Sequence, residues 1–381
     1  MTTDPDPLVR ADDRSRAGPP DVPGAVPTLL ADALGIDPDR ADGRLRRVPS
    51  AGALHPVAVY LDRHSGGHAE TIRWHPHGAC VPVHHRATDR DDGIDVVFVT
   101  KPKATIAKYG DHALMHIVLD VGYARSAVVH SATAHQIHHG PAEAISLQGV
   151  SGFPLAAISV DPDAPASAVA PPGNHDAPSP PIPSSTAPTD IVTQALGQLA
   201  QSPHTATSAT TTIPLSAIRS RRSQPYDLLT RAVAPETIAA LLLETSPHGW
   251  PDDVGVWLST ATDLRRWTGE GFALVSSGDL RGRLAEDAAA QHALADAGAL
   301  VLFTALPAVA VPAAAFLHHR LCIAHLGYGL CVRATGRSLG ARPVGGWTTT
   351  SARFRPVDDG VIVHGVALGS MPGAHAAEVP E

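Results

Sequence analysis

Arg221-Arg222-Ser223 puts two guanidiniums and a hydroxyl in consecutive positions, a donor set that suits a phosphate. Each guanidinium offers a rigid fork of N–H groups able to grip an oxyanion bidentately. Standing alone, the same tripeptide also suits a solvated surface patch. Gly345-Gly346, after Pro343-Val344, allows the backbone to approach a flat ligand closely, and equally suits a turn between a helix and a strand. Ser50-Ala51-Gly52, within Pro49-Ser-Ala-Gly-Ala-Leu-His-Pro56, is a longer run of small residues. It can lay its backbone and the Ser50 hydroxyl against a ring or a polyol chain, or serve as a tight connection. Lys108-Tyr109 pairs two side chains able to donate or accept protons, just ahead of a long helical stretch.

These motifs are divided between the halves of the chain. No counterpart of the Ser50–Gly52 turn precedes the matching strand of the second half, and the arginine and glycine motifs have only faint echoes in the first. Such a division predicts one site at the seam between the halves. His75, His77, Cys80, His84 and His85 also lie close together, but their setting reads as a β-hairpin without a second ligand cluster, so no metal site is expected. His138-His139 and His318-His319 read as structural or solvent-exposed residues near helix ends or on a helix face.

The elements that must position these residues repeat at an offset of roughly 200 residues. Strand-like Val57–Leu61 matches Val254–Leu258, and Ile94–Val99 matches Ala299–Thr304. Helical stretches follow at His112–Ile137 and Ala313–Arg333, and apolar strands close the halves at Pro154–Val160 and Val361–Leu368. Helices over Val26–Leu34 and Pro235–Glu244 precede the first strand of each half. Between the halves, residues 161–213 are dominated by Pro, Ala, Ser and Thr and read as a linker, with a short amphipathic helix over Ile191–Leu199. The expected domains are therefore 1–160, carrying the small-residue turn and the Lys-Tyr pair, and 214–381, carrying the arginine and glycine motifs.

Composition narrows the function classes. A net charge of −8 argues against a nucleic-acid partner, which would need a basic face. The acidic start has no apolar run, and Pro307 and Pro312 interrupt the longest apolar stretch, so neither a secretory signal nor a membrane span is predicted. Three scattered cysteines make no disulfide framework, and a cytoplasmic protein is expected. Cys322 and Cys331 read as small hydrophobes of a buried helix. The only lysines, Lys101, Lys103 and Lys108, fall within eight residues of one another.

Taken together, the motifs resemble the nitroreductase superfamily of flavin mononucleotide (FMN) enzymes over nearly the whole chain outside the linker and the extreme N-terminus. The Ser50–Pro56 turn running into Val57–Leu61, and Lys108-Tyr109-Gly110-Asp111 ahead of the helix, resemble its azoline-dehydrogenase branch. The resemblance implies an α+β fold of two nitroreductase-like lobes, each a central β-sheet flanked by helices, forming a pseudodimer within one chain. It implies FMN as cofactor, held by Arg221, Arg222 and Ser223 at the phosphate and by Ser50, Ala51, Gly52, Gly345 and Gly346 around the ring. Tyr109, with Lys108, becomes the candidate base, and oxygen the oxidant that regenerates the flavin. The implied substrate is an azoline in a precursor peptide or another biosynthetic intermediate, with a cyclodehydratase as a possible partner. The reciprocal site would lack the small-residue turn and would have only Asp13-Arg-Ser-Arg16 in place of Arg-Arg-Ser, so one functional flavin site per chain is expected. No Lys or Arg follows Gly369, where many relatives place a late cation on the phosphate. Two other readings stay open: an FMN-dependent reductase or desaturase of another small molecule, and a non-catalytic scaffold subunit of a peptide-modifying complex.

Overall fold

The computed structural model describes residues 22–37, 45–142, 147–165, 188–201, 204, 211–247, 249–307, 310–347 and 360–371. Each half builds one six-stranded antiparallel sheet. In the first half, β1 (Val57–Ser65), β2 (His68–Trp74), β3 (Cys80–Ala87), β4 (Gly93–Thr100), β5 (Ile137–Pro141) and β6 (Phe153–Pro165) lie in the order β3-β2-β1-β4-β6-β5. The second half contributes β7 (Gly255–Ser259), β8 (Asp263–Trp267), β9 (Phe272–Ser277), β10 (Ala299–Ala305), β11 (Leu339–Val344) and β12 (Val361–Ser370). Their order, β9-β8-β7-β10-β12-β11, repeats that of the first sheet strand for strand. The fold is therefore α+β with two like lobes, as expected for an intrachain pseudodimer. β4 and β10 lie inside their sheets, and from Ile94 to Thr100 and from Ala299 to Ala305 every residue is buried. Burial on both faces explains why these strands read as continuous apolar runs rather than alternating ones.

Between the sheets lie α3 (Ala113–Ala134) and, from the second lobe, α8 (Ala313–Gly336). Every residue of α3 from His116 to Ala132 is buried, as is every residue of α8 from Ile323 to Ala334. A helix buried all round needs no amphipathic stripe, and both carry apolar residues on every face. The two helices pack against each other through glycines. A Cβ at Gly122 would collide with the Ala324 methyl, and one at Gly327 would lie 2.5 Å from the Tyr123 hydroxyl. The same crossing brings the Tyr123 hydroxyl within 2.6 Å of His364 Nε2 on β12, and stacks His130 on His325 with ring centroids 5.0 Å apart. Both lobes share one continuous apolar core around this pair.

The remaining helices close the outer layers: α1 (Ala25–Leu34), α2 (Lys103–Tyr109), α4 (Pro188–Leu199), α5 (Leu215–Ser220), α6 (Pro235–Thr245) and α7 (Arg281–Asp287). α4 falls inside the Pro-rich stretch and buries Val192, Leu196 and Leu199 in the core, while β6 runs on to Pro165. His138 and His139 lie on β5 rather than at a helix end, and His139 is buried with its Nε2 3.1 Å from the Thr133 hydroxyl. Cys331 is buried on α8, Cys322 is half-buried there, and both are free thiols. Among the described residues no helix is long and apolar enough to cross a membrane, and no group of three or more His, Cys, Asp or Glu could hold a metal. Residues 1–21, including Asp13–Arg16, lie outside the described residues.

The buried histidines set the acid response. Burial first, aided by nearby cations, pushes His325 down to about 3, and burial with the neighbouring His116 does the same to His364. In the unfolded chain these imidazoles regain a pKa near 6.5 and take protons that the folded protein refuses. Their stabilising effect is full above pH ~6.5 and is lost as the pH falls toward their folded values, by about 1.4 kcal/mol per pH unit for each ring. The thermal midpoint is expected to fall between pH 6.5 and 4, and His325→Phe, which keeps the stack on His130, should flatten that fall. Parallel curves for the two proteins would remove His325 from this account.

Candidate functional site

A cleft of about 810 Å³ opens at one seam between the lobes. It lies within the range of roughly 300–1,000 Å³ usual for small-molecule sites. The first lobe contributes Ser50, Ala51, Gly52 and Tyr109 to its lining, and the second contributes Arg221, Arg222, Ser223, Gly345 and Gly346. Lys108 does not itself line the cleft, but its ammonium reaches the edge at Gly52.

The small-residue turn is held by a residue that the motifs did not reveal. Ser50 Oγ donates to Asp120 Oδ2 at 2.6 Å, and the Ala51 N–H donates to Asp120 Oδ1 at 3.1 Å. Ser50 Oγ also accepts the His55 N–H at 2.9 Å. The Ser50 hydroxyl is thus engaged in shaping the turn. Asp120 comes from the middle of α3 and is buried, and desolvation pushes its carboxyl up to about 7 against the lowering effect of Ser50 and Ala51. The signal was one acid in the apolar run Ile117-Val-Leu-Asp-Val-Gly-Tyr123, whose partner lies 70 residues away.

Gly52 takes φ +58°, and a side chain there would meet the Lys108 ammonium and, at 2.7 Å, the Tyr109 hydroxyl. Both the backbone conformation and the packing therefore demand glycine. α2 delivers the two head groups to one point, with Lys108 Nζ 5.2 Å from the centre of the Tyr109 ring. Tyr109 in turn lies against His116 of α3, ring centroids 4.3 Å apart. Burial, with His112 and Lys108 nearby, pushes His116 down to about 4, so its ring is neutral at physiological pH.

From the second lobe, Gly345 approaches the same ring: a Cβ there would stand 3.0 Å from His116 Cε1. Gly346 follows at φ +83°, and Gln291 Nε2 donates to the Gly345 carbonyl at 2.7 Å. Arg221 is buried at 3% exposure. Its Nε donates to the Arg47 carbonyl at 2.6 Å, while its Nη1 has no partner among the described residues. Arg222 reaches across the seam to Asp37, Nε to Oδ2 2.6 Å. Just before them, Arg219 makes a two-pronged ion pair with Asp32 of α1 at 2.7 and 2.8 Å.

The His75–His85 group forms the β2–β3 hairpin and its tip, closed by the His75 N–H donating to the Ala79 carbonyl at 2.8 Å. His84 there lies 2.9 Å from Gln148, and His85 Nε2 3.4 Å from Glu70.

No family model matches the chain, and no curated protein matches it. Among solved structures, a protein of Anabaena variabilis described as a nitroreductase superimposes with a TM-score of 0.67, at 15% identity, over 91% of this chain and 88% of the other. The fold is nitroreductase-like. Smaller overlaps occur with a Desulfovibrio desulfuricans protein described as a nitroreductase in complex with FMN (TM-score 0.29, 20% identity, 45% of this chain and 94% of that one). A further one is with the Escherichia coli microcin synthetase complex bound to a truncated pro-peptide (TM-score 0.26, 18% identity, 31% and 52%).

Asp120 yields a test of the turn. Its raised folded pKa means that its stabilising effect is complete below pH ~4 and is lost as the pH rises through about 7. Relative to Asp120→Asn, the wild-type protein should lose stability across that window. Asp120→Ala, which strands the Ser50 hydroxyl and the Ala51 N–H, should cost about 1–3 kcal/mol in denaturant unfolding. Identical pH profiles for wild type and Asp120→Asn would show that the carboxyl is already ionised in the fold.

Proposed function

We propose that the chain is an FMN-dependent dehydrogenase that oxidises azolines in a peptide natural product to azoles. One observation carries this reading: the Lys108 ammonium and Tyr109 hydroxyl converge on Gly52 at the wall of the cleft that Arg221, Arg222, Ser223, Gly345 and Gly346 also line. The residues present fit the cofactor. Gly52 and Gly345 let the backbone lie close against Lys108, Tyr109 and His116 at the cleft wall, Gly346 takes a left-handed turn beside them, and Arg221 keeps a buried N–H without an acceptor among the described residues. Arg221, Arg222 and Ser223 would hold the phosphate, and the Gly345-Gly346 backbone with the Ser50–Gly52 turn would face the ring.

When bound, FMN would supply the two-electron acceptor, taking a hydride from the azoline carbon. The second hydrogen leaves as a proton, and the base form of the Lys108–Tyr109 pair takes it, Tyr109 first with Lys108 beside it. Gly52 sets the distance between that pair and the turn. The neutral His116 ring, wedged between Tyr109 and Gly345, holds the pair in place without adding a charge. The substrate is an azoline within a precursor peptide, which makes a cyclodehydratase the natural supplier. A single flavin per chain is the expectation, because no counterpart of the Ser50–Gly52 turn precedes the matching strand of the second lobe. We also read the two lobes as a tandem duplication, with 1–160 and 214–381 as the repeated units and 161–213 between them.

The Arg222–Asp37 ion pair favours one second reading, a cleft already satisfied within itself and a subunit that acts as a scaffold. The two readings part on colour and turnover. The purified chain should be yellow, or should take up one equivalent of FMN. Lys108→Ala and Tyr109→Phe should retain the flavin while losing on the order of a hundredfold in azoline oxidation. A colourless protein that cannot be reconstituted points to the scaffold. Full turnover in both variants would remove the pair from catalysis.

A further inference from the structure

Positive charge at one end of the cleft exceeds the negative charge available to it. Asp37 is engaged by Arg222, and both Asp120 oxygens are engaged by the small-residue turn. Arg221 nevertheless remains buried there with Nη1 unpartnered among the described residues. A second guanidinium, Arg46, lines the same cleft. Its main chain pairs with Ile36, and the neighbouring Asp37 N–H donates to the Leu45 carbonyl at 3.0 Å, so the stretch carrying Arg46 is held against the segment that carries Asp37. Arg46 and Arg221 are both close enough to His55 to help burial hold that ring neutral. No carboxylate among the described residues contributes to the setting of Arg46, and burial alone lowers it to about 10. A buried and a half-buried guanidinium lining one cleft, neither with a carboxylate partner among the described residues, are costly unless a ligand brings the charge. A phosphate monoester, with close to two negative charges and several acceptor oxygens, answers both.

We infer that Arg46 of the first lobe is a phosphate ligand, gripping the FMN phosphate together with Arg221 of the second lobe, so that the cofactor fastens the lobes across their seam. This rests on the flavin reading above and extends it to a residue outside the Arg-Arg-Ser motif.

Binding of FMN and of riboflavin, which has no phosphate, to the full chain separates the possibilities. Flavin fluorescence titrations read affinity, and thermal unfolding checks that each variant is folded. Arg46→Gln is expected to weaken FMN binding about tenfold or more while leaving riboflavin within about twofold. Arg46→Lys, which keeps the charge and loses the fork, should recover part of the loss. In the wild type, FMN should raise the thermal midpoint more than riboflavin at equal saturation, and that excess should vanish in Arg46→Gln. An equal loss for both flavins would make Arg46 a support of the turn and overturn the inference, as would unchanged FMN affinity. If the wild-type chain binds neither flavin, the inference falls together with the reading beneath it; if it binds FMN and the variant matches it, the inference alone falls.

Discussion

The rest of the molecule depends on how closely α3 approaches α8. Gly122 lets the Ala324 methyl into the crossing, and Gly327 admits the Tyr123 hydroxyl and His364. That contact sets the separation of the two sheets, because both helices are buried between them. It also fixes where α3 presents Asp120 and His116, which stand on the same helix as Gly122. A larger residue at either glycine would push the lobes apart and, with them, the two walls of the cleft. Packed interiors have little room to absorb such a change without displacement elsewhere.

Around that crossing, the second lobe grips the first through successive arginines. Arg219 reaches Asp32, Arg221 reaches the Arg47 carbonyl and Arg222 reaches Asp37. All three partners precede the small-residue turn in the chain, so the Arg219–Arg222 segment orients the first lobe just ahead of that turn. Ser50 is similar in kind: its hydroxyl is committed to Asp120, and the turn faces the cleft through its backbone and Gly52. Residues that shape a site and residues that touch a ligand are hard to separate by type, since both roles favour small or polar side chains.

The sequence reveals the central parts of each lobe because burial leaves a pattern. β4 and β10 show as unbroken apolar runs, and α3 and α8 as long apolar stretches. Edge elements leave less. β8 reads Asp-Leu-Arg-Arg-Trp, and β9 exposes Leu274 and Val275, so neither follows the buried-face alternation that marks a strand. Within the site, the local motifs were legible as motifs because each is a contiguous run. Asp120, Asp37, Gln291 and His116 were not, because their meaning comes from partners distant in the chain. A single acid in an apolar helix carries no spacing to read, and its Ser50 partner becomes visible only once the helix and the turn are folded together.

Both lobes belong to one polypeptide, and this changes how the seam responds to dilution and to mutation. Separate subunits must meet to complete a shared site, so its occupancy falls with protein concentration; a tether replaces that encounter with a fixed local concentration. The seam of this chain should survive at nanomolar levels where a weak homodimer would come apart. Each lobe is also free to change alone, whereas a substitution in a symmetric pair strikes both sites at once. One side can therefore specialise while its counterpart does not.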